Sequence, residues 1–214
     1  MTGAPAGSRR GLLAAARLYA ITPDAAPERL LELAGAYLRG GVDMLQLRHK
    51  TLDRGPLLAL AVTLVRMTRE AGALLIVNDH LDLALAAGAD GVHLGDDDLS
   101  LAAARRVAGP GLLIGASAST PKAARRAVAA GADHLGAGPA FDTPIKAARP
   151  AIGPVGVAAV AEATQVPVFA IGGIEPANAG RLVAAGIHRA SVIRALAEAA
   201  DPEAAARRLR EMLA

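Results

Sequence analysis

Residues 74–99 read LLIVNDHLDLALAAGADGVHLGDDDL and contain the unit that the rest of the chain repeats. The apolar run Leu74–Val77 is short and bounded by polar residues, which is typical of a buried strand. The next segment has helical apolar spacing and ends at Gly88, a residue type favoured just after a helix. A second apolar run, Gly91–Leu94, precedes three aspartates. The stretch therefore predicts two neighbouring parallel strands joined by a helix, with acidic residues after both strands.

The same alternation extends along the chain without a linker. Eight apolar runs are predicted as strands: Leu18–Ile21, Met44–Arg48, Leu74–Val77, Gly91–Leu94, Leu112–Ala116, His134–Gly138, Val168–Ile171 and Arg189–Ile193. Eight strand–helix repeats predict an α/β fold consisting of a single closed (β/α)8 TIM barrel. An open doubly wound sheet is the alternative, but it usually has fewer strands and a Gly-rich first turn, which the residues after Ile21 lack.

The chain of 214 residues is long enough for one large domain with a substantial core. We expect the barrel domain to occupy residues 17–214 and residues 1–16 to form a flexible N-terminal extension. Arg9 and Arg10 precede a short apolar stretch that superficially resembles a signal peptide. That stretch is too short for a signal peptide, and a strand follows it directly.

Composition excludes several classes of function. The net charge of +3 is small and scattered, which gives no indication of nucleic-acid binding. No apolar run approaches the length of a membrane span. The absence of cysteine excludes disulfides and thiolate sites and fits a cytoplasmic protein. We therefore expect small-molecule substrates and no nucleic-acid or membrane partner. The sequence is also compatible with a homo-oligomer.

Polar residues gather where the predicted strands end, and in TIM barrels the active site lies at the carboxyl ends of the strands. Each residue alone is more often a helix cap or a solvated surface group, but their common placement favours a site. The residues are Gln46, Arg48 and Lys50 after the second strand, Asn78 and Asp79 after the third, Asp98 after the fourth, Ser117 after the fifth, Thr143 and Lys146 after the sixth, and Gly172–Gly173 after the seventh.

The acidic residues among them indicate a metal site. Asp79 and Asp98 follow neighbouring strands, and carboxylates brought together repel each other unless a cation lies between them. Hard oxygen ligands suit Mg²⁺, which takes one or two carboxylates together with substrate phosphates. The alternative is that Asp98 caps the next helix and the others are solvated, an interpretation that we favour for Asp96 and Asp97.

The basic residues indicate an anionic substrate. Gln46, Arg48 and Lys50 are spaced by two, so we expect them to share the inward face of the strand. Polar groups on that face are costly unless they meet an anion. With Lys146 and the acid pair, they suit a diphosphate carried with Mg²⁺, and the amides of Gly172–Gly173 offer a second site for a monophosphate. The chain has no Ser/His/Asp set and no zinc-type histidine spacing, so catalysis would be electrostatic.

Five segments resemble the thiamine phosphate synthase family, in the right order over about Leu18 to Leu196. They are Gln46–Asp53, Val77–Asp79, Gly91–Gly95 with Asp98 and Leu99, Gly136–Phe141 with Thr143 and Lys146, and Ala170–Ile174. The combination is specific, whereas Ile-Gly-Gly-Ile alone occurs in many phosphate-binding barrels.

The resemblance implies transfer of a hydroxymethylpyrimidine group from its diphosphate to a thiazole monophosphate, which gives thiamine phosphate and pyrophosphate. In the family pyrophosphate leaves first, and the aminopyrimidine ring stabilises the resulting cation. The implied roles are diphosphate binding by Arg48, Asn78, Ser117, Thr143 and Lys146, Mg²⁺ binding by Asp79 and Asp98, orientation of the pyrimidine by Gln46, support of the anion by Lys50, and binding of the thiazole phosphate by Gly173, Val192 and Ile193. Arg48, Ser117 and Lys146 are the expected catalytic residues.

Three positions depart from the family pattern. Asp96 stands where the family usually has Gln, Ile145 where it has a second Thr, and Arg194 where it often has Ser. Two alternatives therefore stay open: a thiazole tautomerase, and a non-catalytic barrel that binds a thiamine precursor. The sequence Ser117–Thr120 has no histidine where a typical tautomerase has one, and the retained acids favour the synthase.

Overall fold

The structure is a computed structural model that describes residues 8–143 and 150–214. Within these ranges the strands are β1 (Leu18–Ile21), β2 (Met44–Leu47), β3 (Leu74–Asn78), β4 (Gly91–Leu94), β5 (Leu113–Ser117), β6 (His134–Ala137), β7 (Val168–Ile171) and β8 (Ala190–Val192). The helices are α1 (Arg9–Ala15), α2 (Pro27–Arg39), α3 (Arg54–Glu70), α4 (Leu81–Ala87), α5 (Leu101–Ala108), α6 (Pro121–Ala129), α7 (Gly153–Glu162), α8 (Ala179–Ala184), α9 (Arg194–Ala197) and α10 (Pro202–Met212).

The eight strands form one closed parallel barrel in chain order, and β8 pairs with β1 to complete it. The predicted (β/α)8 TIM barrel is therefore confirmed. The strands are buried on both faces, which explains why they appear in the sequence as short continuous apolar runs. Among the described residues, no helix combines the length and the apolar character that crossing a membrane requires.

Helix starts follow recognisable capping patterns. The hydroxyl groups of Ser100 and Thr120 accept hydrogen bonds from the third residue of the following helix, and Asp201 does the same at the start of α10. Proline occupies the first helical position of α6 and α10, where its missing N–H costs no hydrogen bond. These caps fix where each helix begins and therefore the length of each loop at the mouth of the barrel.

Alternation along the strands separates two cores. In β2, Leu45 and Leu47 pack in the layer between the barrel and its helices, whereas Met44 packs in the barrel interior. The interior also holds two of the chain's four Tyr and Phe residues, Tyr19 and Phe169, whose ring centroids are 5.5 Å apart in an edge-to-face contact. The inward-facing residues at the upper ends of the strands are the ones that reach the mouth.

The expectation of a flexible extension over residues 1–16 is wrong for the part that the structure describes, residues 8–16. Helix α1 covers the N-terminal end of the barrel, and its Leu13 packs on the interior cluster with only 3% of its surface exposed. Arg9 forms an ion pair with Asp90 at 2.8 Å, and Arg10 forms one with Asp133 at 2.9 Å. The helix is ordered because the open end of the barrel would otherwise expose apolar side chains to water.

Acids also recur at the N-terminal end of the barrel, but they have structural partners. Asp43, Asp90 and Asp133 precede β2, β4 and β6 in the repeated Gly-x-Asp phrase. The Oδ2 atom of each accepts a backbone N–H of the preceding strand at 2.9 Å. These acids therefore stabilise the barrel floor, in contrast to the acids at the mouth.

Candidate active site

The residues singled out from the sequence lie at the carboxyl-terminal end of the barrel, on β2 to β8 or on the loops that follow these strands. Those within the described ranges are Gln46, Arg48, Lys50, Asn78, Asp79, Asp98, Ser117, Thr143, Gly173, Val192 and Ile193. Because all the strands are parallel, these positions surround one opening. Lys146 and Ile145 lie outside the described residues, so the predicted role of Lys146 stays a prediction.

Asp79 and Asp98 face each other at this opening. The carboxyl group of Asp98 lies within hydrogen-bonding reach of that of Asp79. Burial raises the pKa of Asp79 above its usual value, and the neighbouring Asp98 raises it further, while His80 and Arg48 oppose the shift. Two acids held this close repel each other when both are ionised. Their arrangement is therefore most stable with a proton or a cation between them.

The backbone holds both acids in place. Asp79 has a φ of 63°, in the left-handed region, and its N–H donates to the carbonyl of His93 at 2.9 Å. Asp98 accepts the N–H of Gly95 on its Oδ2 at 2.7 Å. A left-handed conformation in a non-glycine residue is uncommon and marks positions where the surroundings impose the geometry.

The donor set of this pair fits Mg²⁺. Within residues 8–143 and 150–214, no group of three His, Cys, Asp or Glu side chains is arranged to hold a metal ion. Mg²⁺ needs no such cage, because it is usually bound through one or two carboxylates and completes its shell with water and substrate phosphates. Two facing carboxylates meet that requirement.

Arg48 is a cationic side chain close to the acids. Its charge acts on Asp79, and its Nη1 donates to Oδ2 of Asp24 at 3.2 Å. Lys50 does not share the inward face with Gln46 as the spacing predicted, because β2 ends at Leu47 and Lys50 is exposed. The strand geometry that would keep alternate residues on one face is absent beyond Leu47.

Gln46 lies deeper, inside the barrel and 3% exposed. Its Nε2 donates to Oη of Tyr19 at 2.6 Å, and burial raises the pKa of Tyr19, so the phenol stays protonated. This bond fixes the carboxamide beneath the opening. A buried polar group held at one orientation is well suited to position a flat ring that enters from above.

Ser117 has a partner that the sequence analysis did not identify. Its Oγ lies 3.2 Å from Nε2 of His93, across the β4–β5 pair. His134, one strand further, is fully buried with its ring centroid 5.9 Å from that of His93. The spacing of the histidines along the sequence does not indicate this contact, but the alternation of β4 places His93 on the same face as Gly91.

The glycine loop after β7 is built as expected for close approach to a ligand. Gly172 and Gly173 have φ values of 99° and 64°. A Cβ atom on Gly173 would lie 2.5 Å from the carbonyl oxygen of Asp142. Asn178 donates to the carbonyl of Gly173 at 2.8 Å and so fixes the loop from its far side. Only glycine fits this backbone, which lies beside the end of β8.

Two cavities lie at the opposite end of the barrel, with volumes of about 360 and 350 Å³, and both are lined by His188 and Arg189. The basic groups around them already hold the chain together. Arg17 donates to the carbonyls of Leu213 and Ala214, and Arg189 donates to that of Ala14. This end of a TIM barrel usually serves stability.

A family model described as thiamine monophosphate synthase matches residues 18–196. The chain belongs to the thiamine monophosphate synthase family. The matched range includes every site residue named above, from Gln46 to Ile193. It includes Asp96 and Arg194 as well, both of which are exposed at the mouth.

Individual relatives agree with this membership. The thiamine-phosphate synthase of Gloeobacter violaceus is 48% identical over 199 residues, which cover 93% of this chain and 58% of that protein. The thiamine-phosphate synthase of Chlorobium luteolum is 48% identical over 181 residues, covering 84% of this chain and 85% of the relative. The chain therefore spans little more than half of the first relative and most of the second. Members of this family use a metal ion.

A solved structure extends the similarity to three dimensions. The thiamine phosphate pyrophosphorylase of Pyrococcus furiosus superimposes with a TM-score of 0.84 at 35% identity, covering 95% of this chain and 96% of that one. This thiamine phosphate pyrophosphorylase and the chain thus share one overall fold over nearly their whole lengths.

Proposed function

We propose that this protein is a Mg²⁺-dependent thiamine phosphate synthase. It transfers the 4-amino-2-methyl-5-pyrimidinylmethyl group from its diphosphate to hydroxyethylthiazole phosphate and releases pyrophosphate. The observation that carries the proposal is the pair Asp79 and Asp98 with Arg48 beside it at the mouth of the barrel. The family membership and the named relatives support the same activity.

In this proposal each polar group at the mouth acts on one part of a substrate. Gln46 orients the pyrimidine ring from below, where Tyr19 fixes its carboxamide. The diphosphate is held by Arg48, Asn78, Ser117, Thr143 and Lys146, with Lys50 at the exposed rim. The thiazole phosphate binds at the backbone of Gly173 and at the end of β8, Val192 and Ile193. Two anionic groups thus bind on different loops of one opening.

The reaction needs stabilisation of a leaving group more than it needs an acid or a base. The C–O bond between the pyrimidine methylene carbon and the diphosphate breaks, and the bond electrons leave with pyrophosphate. A C–N bond then forms between that carbon and the thiazole nitrogen. Arg48 and Lys146 stabilise the departing anion electrostatically. A Mg²⁺ ion held by Asp79 and Asp98 would supply further positive charge to the diphosphate when bound.

The experiment is a turnover assay with both phosphorylated precursors, in Mg²⁺ and in excess chelator. We expect thiamine phosphate and pyrophosphate in equal amounts in Mg²⁺, and no product in chelator. The Asp79→Asn variant should lose roughly 100-fold in turnover. Asp97→Asn, which removes an exposed acid of the same loop as Asp98, should retain wild-type turnover.

The same assay separates the two alternatives from the synthase. An isomerised thiazole phosphate without coupling would indicate a tautomerase. Binding of both precursors without turnover would indicate a non-catalytic barrel. The substrates in each case are small phosphorylated molecules, and we propose a cytoplasmic location, which the cysteine-free composition supports.

A further inference from the structure

We propose that Asp24, on the loop after β1, is a positioning residue that holds Arg48 and the backbone at Lys50 in the geometry needed to bind the diphosphate. This inference rests on the proposed function, because Arg48 has to be a diphosphate ligand for its orientation to matter. Asp24 lies between the end of β1 at Ile21 and the start of α2 at Pro27.

One carboxylate engages both a side chain and the backbone of the next loop. Oδ2 of Asp24 accepts from Nη1 of Arg48 at 3.2 Å, and Oδ1 accepts from the backbone N–H of Lys50 at 2.7 Å. Between them, Nε2 of His49 lies 3.0 Å from the carbonyl oxygen of Ala25. Three consecutive residues, 48–50, are therefore fixed by two consecutive residues of the first loop.

The charge of Asp24 fits this role. Burial alone would raise the pKa of Asp24, but the hydrogen bond from Lys50 and the charge of Arg48 outweigh it and lower the pKa. The carboxylate of Asp24 therefore stays ionised at neutral pH and forms a charge-assisted hydrogen bond with the guanidinium of Arg48. A charge-assisted bond of this kind selects one orientation among the many that a free arginine side chain samples.

The backbone of Arg48 has a separate anchor. Oγ1 of Thr22, a fully buried residue, accepts from the N–H of Arg48 at 2.9 Å and lies 2.8 Å from its carbonyl oxygen, to which it donates. The N–H of Thr22 also donates to the carbonyl of Gln46 at 2.9 Å. The end of β2 is thus held in place without Asp24. Removal of this acid should therefore free the guanidinium of Arg48 and leave the fold unchanged.

Two effects of Asp24 on an incoming diphosphate have opposite signs. Its negative charge near the site repels the substrate and competes for Arg48, which would make its removal favourable to binding. Its orientation of Arg48 and of the Lys50 amide makes removal unfavourable. The two hydrogen bonds of Asp24 hold the guanidinium of Arg48 and the amide of Lys50 at the mouth. Positioning therefore outweighs repulsion, and removal of Asp24 weakens binding of the diphosphate.

The test compares Asp24→Ala and Asp24→Asn with a matched control. Glu32→Ala also removes an acid from an arginine ion pair, with Arg29 at 3.0 Å, but on the exposed face of α2 away from the mouth. We expect Asp24→Ala to raise KM for the pyrimidine diphosphate about ten-fold and leave KM for the thiazole phosphate unchanged. Asp24→Asn keeps an oxygen acceptor for the Lys50 amide, so it should recover part of the loss. Glu32→Ala should behave as wild type.

A double-mutant cycle with Arg48→Ala tests whether Asp24 acts through its partner. In the Arg48→Ala background, Asp24→Ala should add much less than it does alone, because residues in one network are not additive. Full additivity would overturn the inference. So would tighter diphosphate binding in Asp24→Ala, or an equal rise of KM for both substrates, which a general distortion would produce.

Calorimetric titration with inorganic pyrophosphate in Mg²⁺ separates this inference from the function. If the wild type binds and turns over but Asp24→Ala binds pyrophosphate equally well, only the role of Asp24 is wrong. If the wild type neither binds pyrophosphate nor turns over the precursors, the proposed function fails and this inference fails with it.

Discussion

Asp79 and Asp98 follow different strands, β3 and β4, yet their carboxyl groups lie within hydrogen-bonding reach of each other. Acids of the barrel floor, such as Asp90, instead form ion pairs with arginine, at 2.8 Å between Asp90 and Arg9. The same residue type therefore serves stability at one end of the barrel and creates local repulsion at the other. Such repulsion, placed at the mouth of a TIM barrel, is characteristic of a binding site.

The acid pair should cost stability when no metal is present. In chelator at pH 7, we expect Asp79→Asn to raise the free energy of unfolding by about 0.5–1 kcal/mol, a small value because the site is partly open to solvent. Asn also tolerates the left-handed backbone at this position. Asp98→Asn should give the same increase, and Asp97→Asn should give none. A decrease in both site variants, measured by urea denaturation, would contradict the repulsion.

The glycine loop should tolerate no side chain. In Gly173→Ala the new Cβ meets the carbonyl oxygen of Asp142 on a backbone with a φ of 64°, so the loop has to shift. We expect KM for the thiazole phosphate to rise about ten-fold or more, with a smaller effect on KM for the pyrimidine diphosphate. Gly180→Ala is the matched control, because its Cβ would have no neighbour within 4 Å. Equal kinetics in the two variants would show that Gly173 is not near the phosphate.

Ser117 and His93 should act as a coupled pair. We expect Ser117→Ala to lower turnover roughly 10- to 100-fold and His93→Phe to lower it less, because Ser117 is the residue proposed to contact the substrate. The double variant should be no worse than Ser117→Ala, since the 3.2 Å contact joins the two side chains. Turnover numbers measured at saturating substrate give the answer, and multiplicative losses would show independent roles.

His134 should make the protein sensitive to acid. Burial, with a smaller contribution from nearby His93, lowers the pKa of His134 to about 3. In the unfolded chain this imidazole binds a proton near pH 6.5, whereas in the folded chain it stays neutral down to about pH 3. The free energy of unfolding therefore falls by a few kcal/mol as the pH decreases from about 6.5 towards 3. His134→Phe should flatten this dependence. Phe169→Leu, which perturbs the same interior cluster, should lower stability at every pH and leave the slope unchanged.

The barrel could be predicted from the sequence because its signals are local. Every predicted strand overlaps an observed one, and no strand end differs by more than one residue. The position of the mouth could be predicted too. Parallel strands bring their carboxyl ends to one side of the barrel, whatever path the loops take. Asp79 and Asp98 were thus identified from order along the chain alone.

The rest depended on contacts between distant segments. Helix α1 is ordered by the exposed end of the barrel interior, which no local pattern reveals. The ion pair between Asp24 and Arg48 joins two loops, and the conformation of a loop has no periodic sequence pattern from which it could be predicted. His93 was within reach of the sequence, since the alternation of β4 assigns it to the interior, but its bond to Ser117 required the register between β4 and β5.

The central claim is that Arg48, Asp79 and Asp98 bind one magnesium-bound diphosphate, and calorimetric titration with pyrophosphate tests it most directly. The account predicts binding by the wild type that requires Mg²⁺ and is lost in chelator. Binding should weaken at least about ten-fold in Arg48→Ala, Asp79→Asn and Asp98→Asn, and should be unchanged in Asp97→Asn. Equal affinity with and without Mg²⁺, or wild-type affinity in all three site variants, would contradict it.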